Sequence, residues 1–186
     1  MACARNHKAG LGELQRLKPL LQSGDLIFRN GIDEVSEAAR HMSRTDKSFS
    51  HCGIIQVEHD TVFVYHALGG RFNPSQKLLR QPLELFCDPK INDRIAVYRY
   101  QLNASESESL ANWIRERYSE GLLFDLFFNL TTDDRMYCSE FVFKGLSAAT
   151  NGALFKHLNQ KDDLSYVTID DLYWKQGAIE IFDFVF

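Results

Sequence analysis

Three side chains scattered along this chain could cooperate in nucleophilic chemistry: a late cysteine, Cys138, and two early histidines, His51 and His66. A cysteine attacks carbonyl carbon as its thiolate, an imidazole takes up and returns the proton, and a third polar group orients that imidazole. Cys138 stands in Arg135-Met136-Tyr137-Cys138-Ser139-Glu140-Phe141-Val142. After it, Phe141, Val142, Leu146 and Ala149 recur at helical spacing; before it, Thr131-Thr132-Asp133-Asp134 is polar and loop-like. The pattern predicts Cys138 in the first turn of a buried helix, where unpaired N–H groups and the helix dipole lower a thiol pKa. Taken alone, the cysteine reads better as a small buried hydrophobe.

The histidines change that balance. His51 opens His51-Cys52-Gly53-Ile54-Ile55-Gln56-Val57, and His66 lies near the end of Thr61-Val62-Phe63-Val64-Tyr65-His66-Ala67, with His59-Asp60 between. Both runs are rich in β-branched residues, so an antiparallel hairpin is expected, with the two histidines at the same end of a ribbon. Because strand side chains alternate, His51 and Cys52 point to opposite faces, which argues against Cys52 as a rival nucleophile. A strand-end histidine by itself reads as a surface or core-edge residue, and His7, His41, His59 and His157 are read that way. A zinc site from His51, His66 and Cys138 is compatible by residue type, but no close-spaced ligand pair supports it. No metal and no cofactor are expected.

The elements that must position these groups are legible in outline. Leucines at 11, 14, 17, 20 and 21 suggest a short amphipathic helix limited by Pro19. Asp25-Leu26-Ile27-Phe28-Arg29 suits a buried strand, and Ile32, Val35, Ala38, Ala39 and Met42 predict a helix after it. Residues 71–90, with three prolines, read as a long connection holding one helical turn near Leu83 to Phe86. Arg94 to Tyr100 returns to strand character. Ser105 to Glu108 reads as a capping box opening a helix with Leu110, Trp113, Ile114 and Tyr118 on one face, ending at Gly121. Leu122 to Phe128 is the most apolar run and is expected in the core. The Cys138 helix should end near Asn151-Gly152, followed by a polar connection over 156–165, a capped turn at 168–171 and a C-terminal strand over 178–186.

At 186 residues and 45% hydrophobic composition, one domain spanning residues 1–186 is expected. A net charge of −4 argues against nucleic acid as a partner. The cysteines Cys3, Cys52, Cys87 and Cys138 have no close pair and read as free thiols. No apolar run approaches the length of a membrane span, so a cytoplasmic location is expected on the sequence as given. If an N-terminal signal has been trimmed, Met1-Ala2-Cys3 would mark an exported or lipid-anchored chain.

Four motifs in order, Gly24-Asp25-Leu26-Ile27-Phe28, Ser50-His51-Cys52-Gly53-Ile54-Ile55, Val64-Tyr65-His66-Ala67 and Tyr137-Cys138-Ser139-Glu140-Phe141-Val142, resemble the circularly permuted papain-like cysteine hydrolases of the NlpC superfamily, in the YiiX and YebB-like branch. The histidine strand precedes the cysteine helix, the reverse of ordinary papain-like enzymes. The resemblance implies an α+β fold: a mainly antiparallel sheet or half-barrel packed against helices, with the nucleophile at a helix N-terminus. It implies Cys138 as nucleophile, His51 as base and His66 as the third polar residue, where relatives commonly carry glutamate. It also carries over Asp25 near the site entrance, in a structural role, and an oxyanion hole using the Cys138 N–H with Tyr137 or another nearby donor. The expected reaction is amide hydrolysis through an acyl-enzyme on a peptide, isopeptide or cell-wall-type substrate. Acyl lipids are the alternative substrate, and a non-catalytic binding module with a degenerate site is the alternative from another class.

Overall fold

The structure is a computed structural model that describes residues 12–159, 166–174 and 177–186. Its centre is strand β1 (Leu26–Gly31), whose Leu26, Ile27 and Phe28 are all fully buried, as expected of a continuous apolar run covered on both faces. On one side β1 pairs with β2 (His51–Glu58), then β3 (Thr61–His66) and β4 (Leu79–Pro82). On the other side it pairs with β5 (Asn92–Arg99) and then β8 (Ile179–Val185). All five pairings are antiparallel. The predicted hairpin is present, and its turn residues His59 (φ 46°) and Asp60 (φ 63°) both adopt the left-handed conformation that suits a two-residue hairpin.

Strand alternation gives the sheet two different faces. Leu26, Phe28, Cys52, Ile54 and Tyr65 lie in one apolar cluster with residues of α4 (Ala104–Ser119) and α5 (Cys138–Ala149). Ile27, Ile55 and Val64 lie in the other, with Leu14 and Leu17 of α1 (residues 12–17) and Leu83 and Phe86 of α3 (Leu83–Phe86). Phe141, Val142 and Leu146 of α5 are fully buried. Each contributes about 1.5–3 kcal/mol, which holds the helix and its first residue, Cys138, against the sheet.

Several expectations need correction. The capping box lies two residues earlier: Asn103, not Ser105, accepts the Glu106 N–H at 3.0 Å, while the Glu106 carboxylate accepts the Asn103 N–H at 2.8 Å. Asparagine caps at least as well as serine, and the acidic residue three positions on completes the motif. The helix α2 (Glu34–His41) forms, capped by Asp33, but it has no buried residue, and Ile32 and Val35 stay exposed.

The run Leu122 to Phe128 is not wholly core. Leu122 is buried and β6 (Leu123–Phe124) pairs with β7 (Arg135–Met136), but Phe127 is 83% exposed. The cause is Asp125, fully buried, whose carboxylate accepts the N–H groups of Phe127 (2.8 Å) and Asn129 (2.6 Å) and turns the intervening chain outward. Finally, residues 71–90 hold the expected turn, α3, and also the strand β4, which the sequence did not suggest.

Candidate active site

His51 and His66 meet. Strand β2 starts at His51 and β3 ends at His66, and the hairpin register places both rings on the sheet face that carries Phe86. His51 Nε2 lies 2.8 Å from His66 Nδ1, and the other His66 nitrogen, Nε2, lies 3.0 Å from Gln81 Oε1 on the edge strand β4. The orientation of the Gln81 amide, with its oxygen toward His66, sets the protons along this row. An amide oxygen only accepts, so His66 Nε2 carries hydrogen, His66 Nδ1 accepts, and His51 Nε2 donates. The His51 Nδ1 is then left with a free lone pair, the form a base requires.

Gly53 makes the close packing of this corner possible. A Cβ there would lie 2.7 Å from Val64 Cγ1, 2.8 Å from the Tyr65 carbonyl oxygen and 3.0 Å from His66 Cβ. Glycine two residues after His51 is therefore a packing requirement on the histidine face.

Both imidazoles are held neutral. Burial lowers the His51 pKa well below the usual histidine range, and the Arg29 charge, then the neighbouring His66 ring, add to the shift. Burial, then Arg29, bring His66 down to about 3, against a smaller opposing effect of its bond to Gln81. Arg29 is the strand partner of His51, stacks over the Phe86 ring at 4.6 Å, and donates to the Phe86 carbonyl at 3.0 Å.

Cys138 is the first residue of α5, as the helical spacing predicted. It packs against the apolar cluster that contains Cys52, and the Cys52 thiol is the largest of the effects lowering the Cys138 pKa. Burial opposes it, while the backbone amides of Cys52, Ser139 and Cys138 itself also favour the thiolate. The Cys52 amide is the peptide group immediately after His51, so sulfur and histidine backbone converge at the start of β2. The imidazole ring is directed away, toward Phe86, and no hydrogen bond joins it to Cys138 among the described residues. Strand alternation thus acts as expected but with an unexpected result: Cys52, on the face opposite His51, belongs to the apolar cluster on which Cys138 packs. A small cleft beside Cys138 is lined by Ala39, Met42, Ser50, Phe128, Tyr137 and Ile169, and reaches the residue before His51.

Two other expected site residues serve the scaffold. Asp25 is buried, and its carboxylate bonds Arg99 Nε (2.6 Å) and Nη2 (2.8 Å) and accepts the Gln22 N–H at 2.8 Å. It sits at the end of β1 remote from Arg29 and is not among the residues lining the cleft, away from the expected place at the entrance. Tyr137 lines the cleft with its ring, but its hydroxyl accepts the Val167 N–H at 2.8 Å and its own N–H donates to Glu140 at 3.2 Å. Both polar groups are engaged, leaving Tyr137 in a bracing role.

Glu140, buried in the first turn of α5, is pushed up to about 7, chiefly by burial and in spite of Lys144 at 2.9 Å. Among the described residues no group of three or more His, Cys, Asp or Glu side chains is arranged to hold a metal ion. The facing nitrogens of His51 and His66 leave no space for an ion between them. Gln81 and Arg29 were missed by sequence reasoning. Arg29 had a usable signal, since it shares the alternation parity of Ile27 in a strand flanking the hairpin; Gln81 had none, lying in a short edge strand closed by Pro82.

An antiparallel sheet with its histidine hairpin early in the chain, and a cysteine heading a late helix packed on it, defines a permuted papain-like fold. A family model described as permuted papain-like amidase enzyme, YaeF/YiiX, C92 family, matches residues 20–170, and the chain belongs to that family. A solved structure of similar fold is the metalloprotein YiiX from Escherichia coli O157:H7, with a TM-score of 0.62 and 20% identity over 86% of this chain and 95% of that one. No curated protein matches the chain. Among the described residues no helix is long and apolar enough to cross a membrane.

Proposed function

We infer that the chain is a cysteine amidase in which Cys138 is the nucleophile, His51 the general acid and base, and His66 its orienting partner. The observation that carries this reading is the Gln81–His66–His51 row, which leaves His51 Nδ1 unprotonated on the residue just before the peptide N–H that favours the Cys138 thiolate. The reading requires the His51 ring, which points toward Phe86 in this structure, to turn to the Cys138 sulfur. A neutral thiol then gives its proton to His51 Nδ1 as sulfur attacks the amide carbonyl. The oxyanion is met by backbone N–H groups, the Cys138 amide first and the Cys52 amide beside it. His51 returns its proton to the departing amine, and water activated by the same ring releases the acyl group. His66 receives the His51 Nε2–H throughout, stabilising the imidazolium by a hydrogen bond without the full charge a carboxylate would bring.

The substrate is an amide of peptide, isopeptide or cell-wall type. A second reading, release of lipid acyl groups, is favoured by the apolar lining of the cleft, where Ala39, Met42, Phe128 and Ile169 surround Cys138. Release of amine from acyl-lysine peptides, compared with release of acid from short-chain lipid esters, separates the two. Amide turnover that disappears in Cys138→Ala supports the first reading, and activity on the lipid esters alone replaces it with the second. No turnover of either class, with Cys138 unreactive, would leave the fold as a binding module.

A further inference from the structure

Phe128 holds a backbone conformation that bulky residues rarely adopt: its φ is 54°, in the left-handed region. The fully buried Asp125 carboxylate enforces it by accepting the N–H groups on either side of Phe128, from Phe127 at 2.8 Å and from Asn129 at 2.6 Å. Phe127 is left pointing to solvent, while the Phe128 ring packs on Tyr137 with ring centroids 5.0 Å apart and meets Phe124 at 6.4 Å. The loop therefore spends backbone strain to seat one aromatic ring on the wall of the cleft that Cys138 also lines.

The cleft so walled is small. Its volume is about 40 Å³, against roughly 150 Å³ for a cavity that accepts benzene. Hydroxyl groups on its wall are already engaged within the protein: Ser50 accepts the Gly31 N–H at 2.9 Å, Ser139 donates to the Val167 carbonyl at 2.8 Å, and Thr168 donates to Asp171 at 2.8 Å. What remains for a ligand is apolar contact with Met42, Phe128 and Ile169. In the amidase reading, on which this inference rests, the attacked carbonyl carbon must reach the Cys138 sulfur, and the side chain of the acyl residue hangs from the very next atom. That side chain has to share the cleft with the sulfur. We propose that Phe128 is the specificity-determining residue of the site: its ring closes the cleft to all but a glycine or alanine acyl residue, so the amide cleaved is one formed by a small amino acid. A methyl group fills the space. A leucine or phenylalanine side chain would have to displace a ring that Asp125 and Tyr137 hold in place.

The test reads labelling of Cys138 by mass mapping. Acetyl-glycyl, acetyl-alanyl, acetyl-leucyl and acetyl-phenylalanyl chloromethyl ketones each carry one side chain next to the reactive ketone, and a reactive thiolate displaces their chloride. Their rates at Cys138 are compared with one another and with iodoacetamide, which has no side chain to select. In wild type the glycyl and alanyl reagents should label Cys138 at least about tenfold faster than the leucyl and phenylalanyl reagents. Phe128→Gly removes the ring and suits the left-handed backbone, and Phe128→Asn, shorter and tolerant of that backbone, gives a second route to the same change. Either should bring the leucyl rate to within about twofold of the alanyl rate. Phe127→Ala, whose side chain stands outside the cleft, should keep the wild-type preference. Equal rates for the four ketones in wild type, with Cys138 still open to iodoacetamide, overturn the inference and leave the amidase reading standing. So does a preference for small side chains that persists in folded Phe128→Gly. A Cys138 that no reagent labels overturns both. The wild-type rates decide the matter whether or not the Phe128 variants fold.

Discussion

His51 and His66 face each other nitrogen to nitrogen at 2.8 Å, with ring planes 83° apart and Gln81 closing the far side. The row places its one free lone pair on His51 Nδ1, and that placement rests on which group stands at each end. Replacing His66 by Ala removes the acceptor for His51 Nε2–H and lets the ring rotate and change tautomer. Amide turnover should fall about 100-fold, with the loss in kcat and not in KM. Gln81→Ala should cost less, about tenfold. Gln81→Glu puts a carboxylate behind His66, which should move the acidic limb of the kcat/KM profile toward higher pH. An unchanged profile in both Gln81 variants would remove Gln81 from the row.

Glu140 gives stability a specific pH dependence. Burial pushes its carboxyl up to about 7 in the folded chain, against an ordinary value of 4.5. Between those values the folded chain holds a proton that the unfolded chain has released, so its contribution is fully present below about 4.5 and is lost as pH rises through about 7. The charged groups facing it are Lys144 and Asp125, and burial outweighs the favourable Lys144 contact. The Tm should fall from about pH 5 to about pH 8, and Glu140→Gln should flatten that slope. A slope of the same size in the Gln variant would assign the dependence to another group.

Asp25 and Arg99 form a two-bond ion pair that joins the start of β1 to the end of β5. Asp25→Ala strands a largely buried guanidinium and should cost about 3 kcal/mol in urea unfolding. Because Asp25 lies away from the cleft, alkylation of Cys138 in the folded variant should keep its wild-type rate. Slowed alkylation with intact fold would return Asp25 to the site.

The parts that the sequence made legible are those set by local rules. The 3.6-residue spacing after Cys138 predicted α5, and the two β-branched runs about His59-Asp60 predicted β2 and β3 with both histidines at one end. What escaped depended on partners distant in the chain. Residues 79–82 carry no strand signal of their own, yet pairing with β3 makes them β4 and delivers Gln81 to His66. The run Leu122 to Phe128 is apolar enough for a core, but the hydrogen bonds of one buried carboxylate, Asp125, turn Phe127 to solvent. Alternation separated Cys52 from His51 correctly, and only the packing of α5 decides that Cys138 rests on the cluster that holds Cys52. Expectations about Cys3 and His7 lie outside the described residues.

The central claim is that Cys138 is a nucleophile served by His51, and the most direct measurement is the pH-resolved rate of iodoacetamide labelling at each cysteine, read by mass mapping in wild type and His51→Ala. Cys138 should label at least about tenfold faster than Cys52 and Cys87, and His51→Ala should slow Cys138 sharply with no change at the other two. Equal rates at all the cysteines, or a Cys138 rate indifferent to His51, would contradict the account.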